Sequence, residues 1–221
     1  MIAVVWPPTV TSTYRDLVNA RPADHGPAVA ALLAAGSGSR FDGPTHKLLA
    51  PLAGRPVWHH ALLHACSAGY DLVIVVEGAV GLGTLPSLPS GSSPVMVVPN
   101  PDWSEGQATS VRVAVDTAMA QGARHLTIGL ADQPSVTAEA WTAVRLADPA
   151  CRIVVADYPT GRGPHPVRFD RSLLGTLRDL DGDDGARHLL RTHPEWVCAV
   201  HCVGSGTDID TLEDLHRWNS C

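Results

Sequence analysis

The sequence predicts a single three-layer α/β domain on a mostly parallel, Rossmann-like sheet. Short apolar runs recur at residues 29–34, 72–76, 95–98, 126–130 and 153–156. They are continuous rather than alternating, the pattern of strands buried on both faces. Amphipathic stretches at 57–68, 107–121 and 137–146 lie between them. That alternation implies parallel strands joined by helices on both faces of the sheet. The length, 221 residues with 45% hydrophobic and 17% charged content, suits one domain with a substantial core.

Along the chain, residues 1–27 carry Pro7, Pro8, Pro22 and Pro27 with weak periodicity. They read as an N-terminal extension that packs loosely or frays, which leaves 28–221 as the domain proper. Residues 78–94, rich in Gly, Ser, Pro and Leu, read as a long irregular connection. The last third predicts short strands at 167–169 and 196–203 and helices at 172–180, 186–192 and 211–218. The closing helix has Thr211 as its start signal, with Glu213 and Asp214 in its first turn.

The net charge of −6 argues against sequence-independent nucleic-acid binding. No apolar run approaches the roughly 18–20 residues of a membrane span. The first residues lack the cationic start of a secretory signal, so a cytoplasmic setting is expected. The cysteines, five and irregularly spaced (Cys66, Cys151, Cys198, Cys202, Cys221), read as buried free thiols of a reducing compartment. Cys198 and Cys202 would share one face of a strand, with no second pair to complete a zinc site.

The chemistry concentrates where the first strand ends, in Leu33-Ala34-Ala35-Gly36-Ser37-Gly38-Ser39-Arg40-Phe41 with Lys47 beyond. Gly36 and Gly38 begin a dinucleotide fingerprint, but its third glycine position is Phe41 and no acidic residue stands near position 56. Gly38 and Gly43 have P-loop spacing, but Pro44 and Thr45 replace the Lys-Ser/Thr pair. What remains is a small-residue loop whose backbone amides and two cations, Arg40 and Lys47, suit a polyphosphate. Asp132 follows an apolar strand, where open α/β sheets bind ligands, and such a carboxylate suits Mg²⁺. Its alternative is a helix cap, a role that Ser135 or Thr137 could fill equally. Asp208 and Asp210 straddle Ile209 and would share one face of an extended strand end, as further metal ligands or as caps of the last helix. Gln107 and Ser110 open a helix whose free N–H groups suit anionic or base contacts, with capping and solvent hydrogen bonding as the alternative. His165, presented rigidly between Pro164 and Pro166, suits substrate contact; Asp183, Asp184 and Arg187 follow Gly182 and could clamp a polar substrate, or be a capping Asp with a solvated Arg.

These residues resemble a known family. Leu-Ala-Ala-Gly-x-Gly-x-Arg-Phe, Lys47 and the Leu48–Pro56 segment are similar to the signature of the molybdenum-cofactor cytidylyl- and guanylyltransferases and their MobA-like relatives. The similarity continues in order through Asn100–Ser110, Leu130-Ala-Asp-Gln-Pro134, Gly163–Phe169, Gly182–Arg187 and Asp208–Asp214. It covers about residues 28–215. The resemblance implies a nucleotidyltransferase fold and a Mg²⁺-dependent attack by a substrate phosphate on the α-phosphorus of a nucleoside triphosphate. Arg40, Lys47 and Asp132 would be catalytic, and Ala34, Ala35, Gly36, Gly38, Arg40, Lys47, Gln107 and Ser110 would hold the nucleotide. Asp132, Asp208 and Asp210 would hold the metal, and His165, Asp183 and Arg187 the second substrate. In that family Leu-Ala-Ala-Gly goes with cytidine and Leu-Ala-Gly-Gly with guanine, so the methyl of Ala35 and the Asp-Gln-Pro segment favour CTP. Molybdopterin is the implied acceptor, with a molybdoenzyme or its chaperone as a transient partner. Guanylyl transfer, sugar- or polyol-phosphate activation and a non-catalytic cofactor-binding role stay open as alternatives.

Overall fold

A computed structural model describes residues 26–159, 163–180 and 186–220. The expected extension therefore lies outside the described residues, apart from Gly26 and Pro27. The main strands are β1 (Ala28–Ala34), β4 (Leu72–Glu77), β5 (Val95–Pro99), β6 (His125–Leu130), β7 (Ile153–Asp157), β8 (Val167–Asp170) and β9 (Val197–His201). They form a seven-stranded sheet in the order β5-β4-β1-β6-β8-β7-β9. Only β8 runs against the others, pairing antiparallel with β6 and β7. The sequence predicts this strand but carries no signal for its direction.

Burial follows the pleat. Along β1, Ala28, Ala30, Leu32 and Ala34 join a core under helices α1 (Val57–Cys66) and α3 (Ala138–Leu146). Val29, Ala31 and Leu33 join a second core under α2 (Gln107–Ala120) and α4 (Leu174–Arg178). Alternate residues buried on both faces make the middle strand apolar throughout. Short helices α5 (Arg187–Thr192) and α6 (Leu212–Asn219) complete the described chain. Residues 78–94 carry neither helix nor strand, as expected.

Two details depart from the sequence reading. A two-stranded ribbon, β2 (Pro51–Leu52) with β3 (Arg55–Pro56), turns through Ala53 and Gly54, both at positive φ. Nor are all the cysteines the expected free thiols: Cys151 and Cys198 form a disulfide, and only Cys66 and Cys202 are buried free thiols among the described residues. The cause is tertiary register. Parallel pairing of β7 with β9 sets Val154 opposite Cys198, which brings Cys151, just before β7, within 6.0 Å between Cα atoms. No helix among the described residues is long and apolar enough to cross a membrane.

Candidate active site

The chain leaves β1 toward β4 on one side of the sheet, and β6 pairs with β1 on the other. The C-terminal ends of β1 and β6 thus flank a topological switch point, where open α/β sheets form their binding crevice. A cleft of about 400 Å³ lies there, lined by the loop from Ala34 to Arg40, Lys47, Gln107, Ser110, Asp132 and Asp210. These predicted residues come together although sequence separations of 85 and 163 divide Lys47 from its two carboxylates.

Lys47 is the centre of the site. Its Nζ donates to Asp132 Oδ2 at 2.6 Å and to Asp210 Oδ1 at 2.8 Å. Burial alone would lower the Lys47 pKa, but Asp132 and Asp210 outweigh it and hold the ammonium above its ordinary value. Arg40 reaches the other Asp210 oxygen at 3.1 Å from a side chain 76% exposed, a solvent-screened pair of little energetic weight.

The turn before Lys47 depends on glycine. Gly38 sits at φ +62°, and a Cβ there would lie 3.0 Å from His46 Nε2 and 3.2 Å from Lys47 Cγ. His46 then ties the loop together. The Leu48 N–H donates to Nδ1 at 3.3 Å, so the proton resides on Nε2, which donates to the Gly36 carbonyl at 3.0 Å. Sequence reasoning missed His46; its only signal was its place beside Lys47.

Ala35 lines the cleft yet is only 3% exposed, being packed into the core under α2. A Cβ on Gly78 would come within 2.7 Å of the Ala35 Cβ and of Trp103, so Gly78 permits the close approach of the β1 and β4 ends. Ser110 is buried, with its Oγ accepting from Asn100 Nδ2 at 3.0 Å; Asn100 also donates to Thr109 Oγ1 at 2.9 Å. Asn100, itself 2% exposed, therefore fixes the start of α2 while Gln107 lines the cleft.

Asp132 does not cap α3: Thr137 accepts the Ala140 N–H instead. The Asp132 carbonyl accepts the Ile209 N–H at 2.9 Å, which docks the segment carrying Asp208 and Asp210. That segment is irregular, not the expected strand end, because β9 stops at His201. Asp210 faces Lys47, whereas Asp208 accepts from Gln133 Nε2 and lies outside the cleft lining. Burial raises the Asp208 pKa, Asp132 and Asp210 add to it, and Gln133 and Lys47 oppose it. Asp132 Oδ1 is buried without a hydrogen-bond partner.

The donor chemistry fits a hard divalent cation: an orphaned carboxylate oxygen beside a second carboxylate whose charge burial disfavours. No cluster of three or more ligand side chains is preassembled among the described residues. Mg²⁺ commonly takes one or two carboxylates and leaves other positions to water and phosphate oxygens, so such a cluster is not required.

The second-substrate candidates are less gathered. His165 lines a small apolar pocket with Leu33 and Gln107, and its carbonyl accepts from Tyr158 Oη at 2.9 Å. Arg187 opens α5. Asp183 and Asp184 lie outside the described residues.

A mostly parallel α/β domain with this cleft at its switch point has the architecture of the nucleotidyltransferases. The chain belongs to the MobA-like NTP transferase domain family, whose model matches residues 30–197. It is 30% identical over 194 residues to the purine catabolism protein PucB of Bacillus subtilis, covering 84% of this chain and 93% of that protein. It is 32% identical over 209 residues to the bifunctional protein GlmU of Gluconacetobacter diazotrophicus, covering 90% of this chain but 42% of that longer protein. Among solved structures, Rv0371c of Mycobacterium tuberculosis superposes with a TM-score of 0.71 at 29% identity, covering 89% of this chain and 98% of that one. Rv0371c in complex with manganese superposes at 0.68 with 28% identity, covering 88% and 98%.

Proposed function

We propose that the protein transfers CMP from CTP to the phosphate of molybdopterin, with Mg²⁺ and release of pyrophosphate. The observation that carries this reading is Lys47, half-buried between Asp132 and Asp210 and facing the glycine loop. The loop from Ala34 to Gly38 would accept the nucleotide, with Gln107 opposite and Ser110 shaping the helix start through Asn100. Lys47 and Arg40 would hold the phosphates and stabilise charge on the departing pyrophosphate. An acceptor phosphate oxygen forms the new bond to the α-phosphorus as the bond to the bridging oxygen of the leaving pyrophosphate breaks. A phosphate monoester is largely dianionic at neutral pH, its second pKa being about 6, so no general base is required. This accords with a cleft built of cations and carboxylates, in which positioning does much of the work.

Asp132, with Asp208 or Asp210, would hold Mg²⁺, which when bound supplies charge neutralisation to the phosphates. The manganese complex of Rv0371c supports a divalent cation in this fold. Ala35 would act on base choice by fixing the wall against Gly78, favouring the smaller cytosine. His165, Asp183 and Arg187 would meet the acceptor. Transfer of the product to a molybdoenzyme or its chaperone in the cytoplasm completes the proposed setting.

The test is pyrophosphate release with CTP, GTP, ATP and UTP, with and without molybdopterin. The proposal expects turnover with CTP only when the pterin is present. Pterin-independent turnover with a sugar or polyol phosphate would contradict the acceptor, and turnover with GTP alone would contradict the base. Absence of release under every nucleotide would leave a non-catalytic binding role.

A further inference from the structure

A second concavity lies at the other end of the sheet, where β6 begins at His125 and β8 ends at Asp170. It measures about 230 Å³, and its wall includes Arg124, Arg145 and Arg168. Strand β6 runs from His125 in this concavity to Leu130 in the cleft, so the two cavities are about 17 Å apart at roughly 3.3 Å per residue.

The chemistry of this pocket is lopsided. Arg168 is 4% exposed. Its guanidinium is fixed by the backbone carbonyls of Arg145 (3.2 Å), Ala147 (2.8 Å), Asp148 (2.7 Å) and Cys151 (3.4 Å). These contacts occupy both of its terminal nitrogens, and Asp170 and Asp148 favour its charge against the burial that opposes it. The disulfide from Cys151 to Cys198 ties that wall to β9. Arg145 Nε donates to the Ala68 carbonyl at 2.8 Å. None of the three guanidiniums is paired with a carboxylate among the described residues. Asp170 is the one acidic lining residue, and its Oδ1 accepts the N–H and hydroxyl of Ser172. His125, 7% exposed, has a buried Nδ1 without a partner. Burial, then the charges of Arg168, Arg124 and Arg145, push its pKa down to about 3.

Three guanidiniums around one concavity with a single acidic lining residue leave an excess of positive charge there, which a bound anion would offset. Arg168, held by carbonyls, supplies charge from behind, while the terminal nitrogens of Arg124 and Arg145 offer planar donors that match the oxygens of phosphate better than a point cation does. The volume falls below the roughly 300–1,000 Å³ of sites for drug-sized ligands, which favours a small tetrahedral anion over a nucleotide. We propose that Arg124, Arg145 and Arg168 form a second binding site for a small phosphate-class anion, remote from the nucleotide cleft. This site does not depend on the reaction assigned to that cleft.

His125 supplies a local probe. The full-length protein, with its histidine ring resonances assigned, is titrated with inorganic phosphate, with pyrophosphate, and with chloride as the ionic-strength control. Saturable movement of the His125 signals with phosphate or pyrophosphate, and none with chloride, is the expected result. The Arg124→Gln substitution should weaken that binding about tenfold, the effect of losing one charge-assisted hydrogen bond, and Arg124→Lys should weaken it less. Circular dichroism of both variants should match the wild type, because Arg124 makes none of the carbonyl contacts that fix Arg168. Stationary His125 signals with both anions would overturn the proposal. So would an unchanged affinity in a folded Arg124→Gln protein.

Discussion

Lys47 illustrates how the smallest scale governs the site. An ammonium held at 2.6 Å and 2.8 Å from two carboxylates is charged and pre-aimed before any nucleotide arrives. Lys47→Ala should lower the rate of pyrophosphate release by about 10²–10³-fold, the usual effect of deleting one preorganised charge-stabilising group. A folded Lys47→Ala protein with near wild-type turnover would remove Lys47 from the chemistry. Its folded pKa is raised, so its contribution to stability is fully present below the ordinary value of 10.5 and is lost as pH rises through the folded value. Gly38→Ala would place a methyl in a left-handed residue hard against His46 and Lys47. The expected destabilisation is about 1–2 kcal/mol, read as a lower denaturation midpoint, with weaker nucleotide binding. The loop itself was legible because its small residues and cations are contiguous. His46 was not, because its role depends on carbonyl and N–H groups that only the folded turn brings to it.

Among elements, the segment between β9 and α6 decides where Asp208 and Asp210 stand. Ile209 is fully buried in a small cluster with Phe41, Leu52, Val57 and Leu215, which links the end of the glycine loop to the last helix. Thr211 and Asp214 close a reciprocal capping box at the start of α6. Ile209→Ala should cost about 2–4 kcal/mol in urea unfolding and lower turnover as well, because it loosens the Asp210 pairing to Lys47. Lost stability with wild-type turnover under folded conditions would show that the cluster does not position the site. Helix starts and apolar strands were readable from pattern. The two-residue ribbon and the antiparallel insertion of β8 were not, since nothing in a short apolar run encodes its direction. The expected strand at Asp208–Asp210 failed for a related reason: its backbone docks on Asp132 rather than on a sheet edge.

Across the whole molecule, the alternating runs specify a sheet covered on both faces, and its switch point specifies where the cleft opens. Pairings between distant segments were beyond the sequence. The Cys151–Cys198 bridge arises only once β7 and β9 are in register, and the arginine pocket only once β6, β8 and the end of α3 meet. His125 makes that pocket visible in stability. Its folded pKa, near 3, lies below the ordinary 6.5. The unfolded chain therefore binds the extra proton first, and stability should be full above about pH 6.5 and fall as pH drops toward 3. His125→Asn should flatten that part of the pH–stability curve; an unchanged slope would assign the acid sensitivity to other groups.

The proposed reaction rests on Lys47 and the carboxylates around it acting as a metal-dependent nucleotidyl-transfer site. Its most direct test is pyrophosphate release from CTP and molybdopterin by wild-type and Asp132→Asn proteins across a Mg²⁺ titration. Mg²⁺-dependent release by the wild type and, in the folded variant, loss of nearly all turnover are expected. Full activity of Asp132→Asn with an unaltered Mg²⁺ dependence would contradict the proposed reaction.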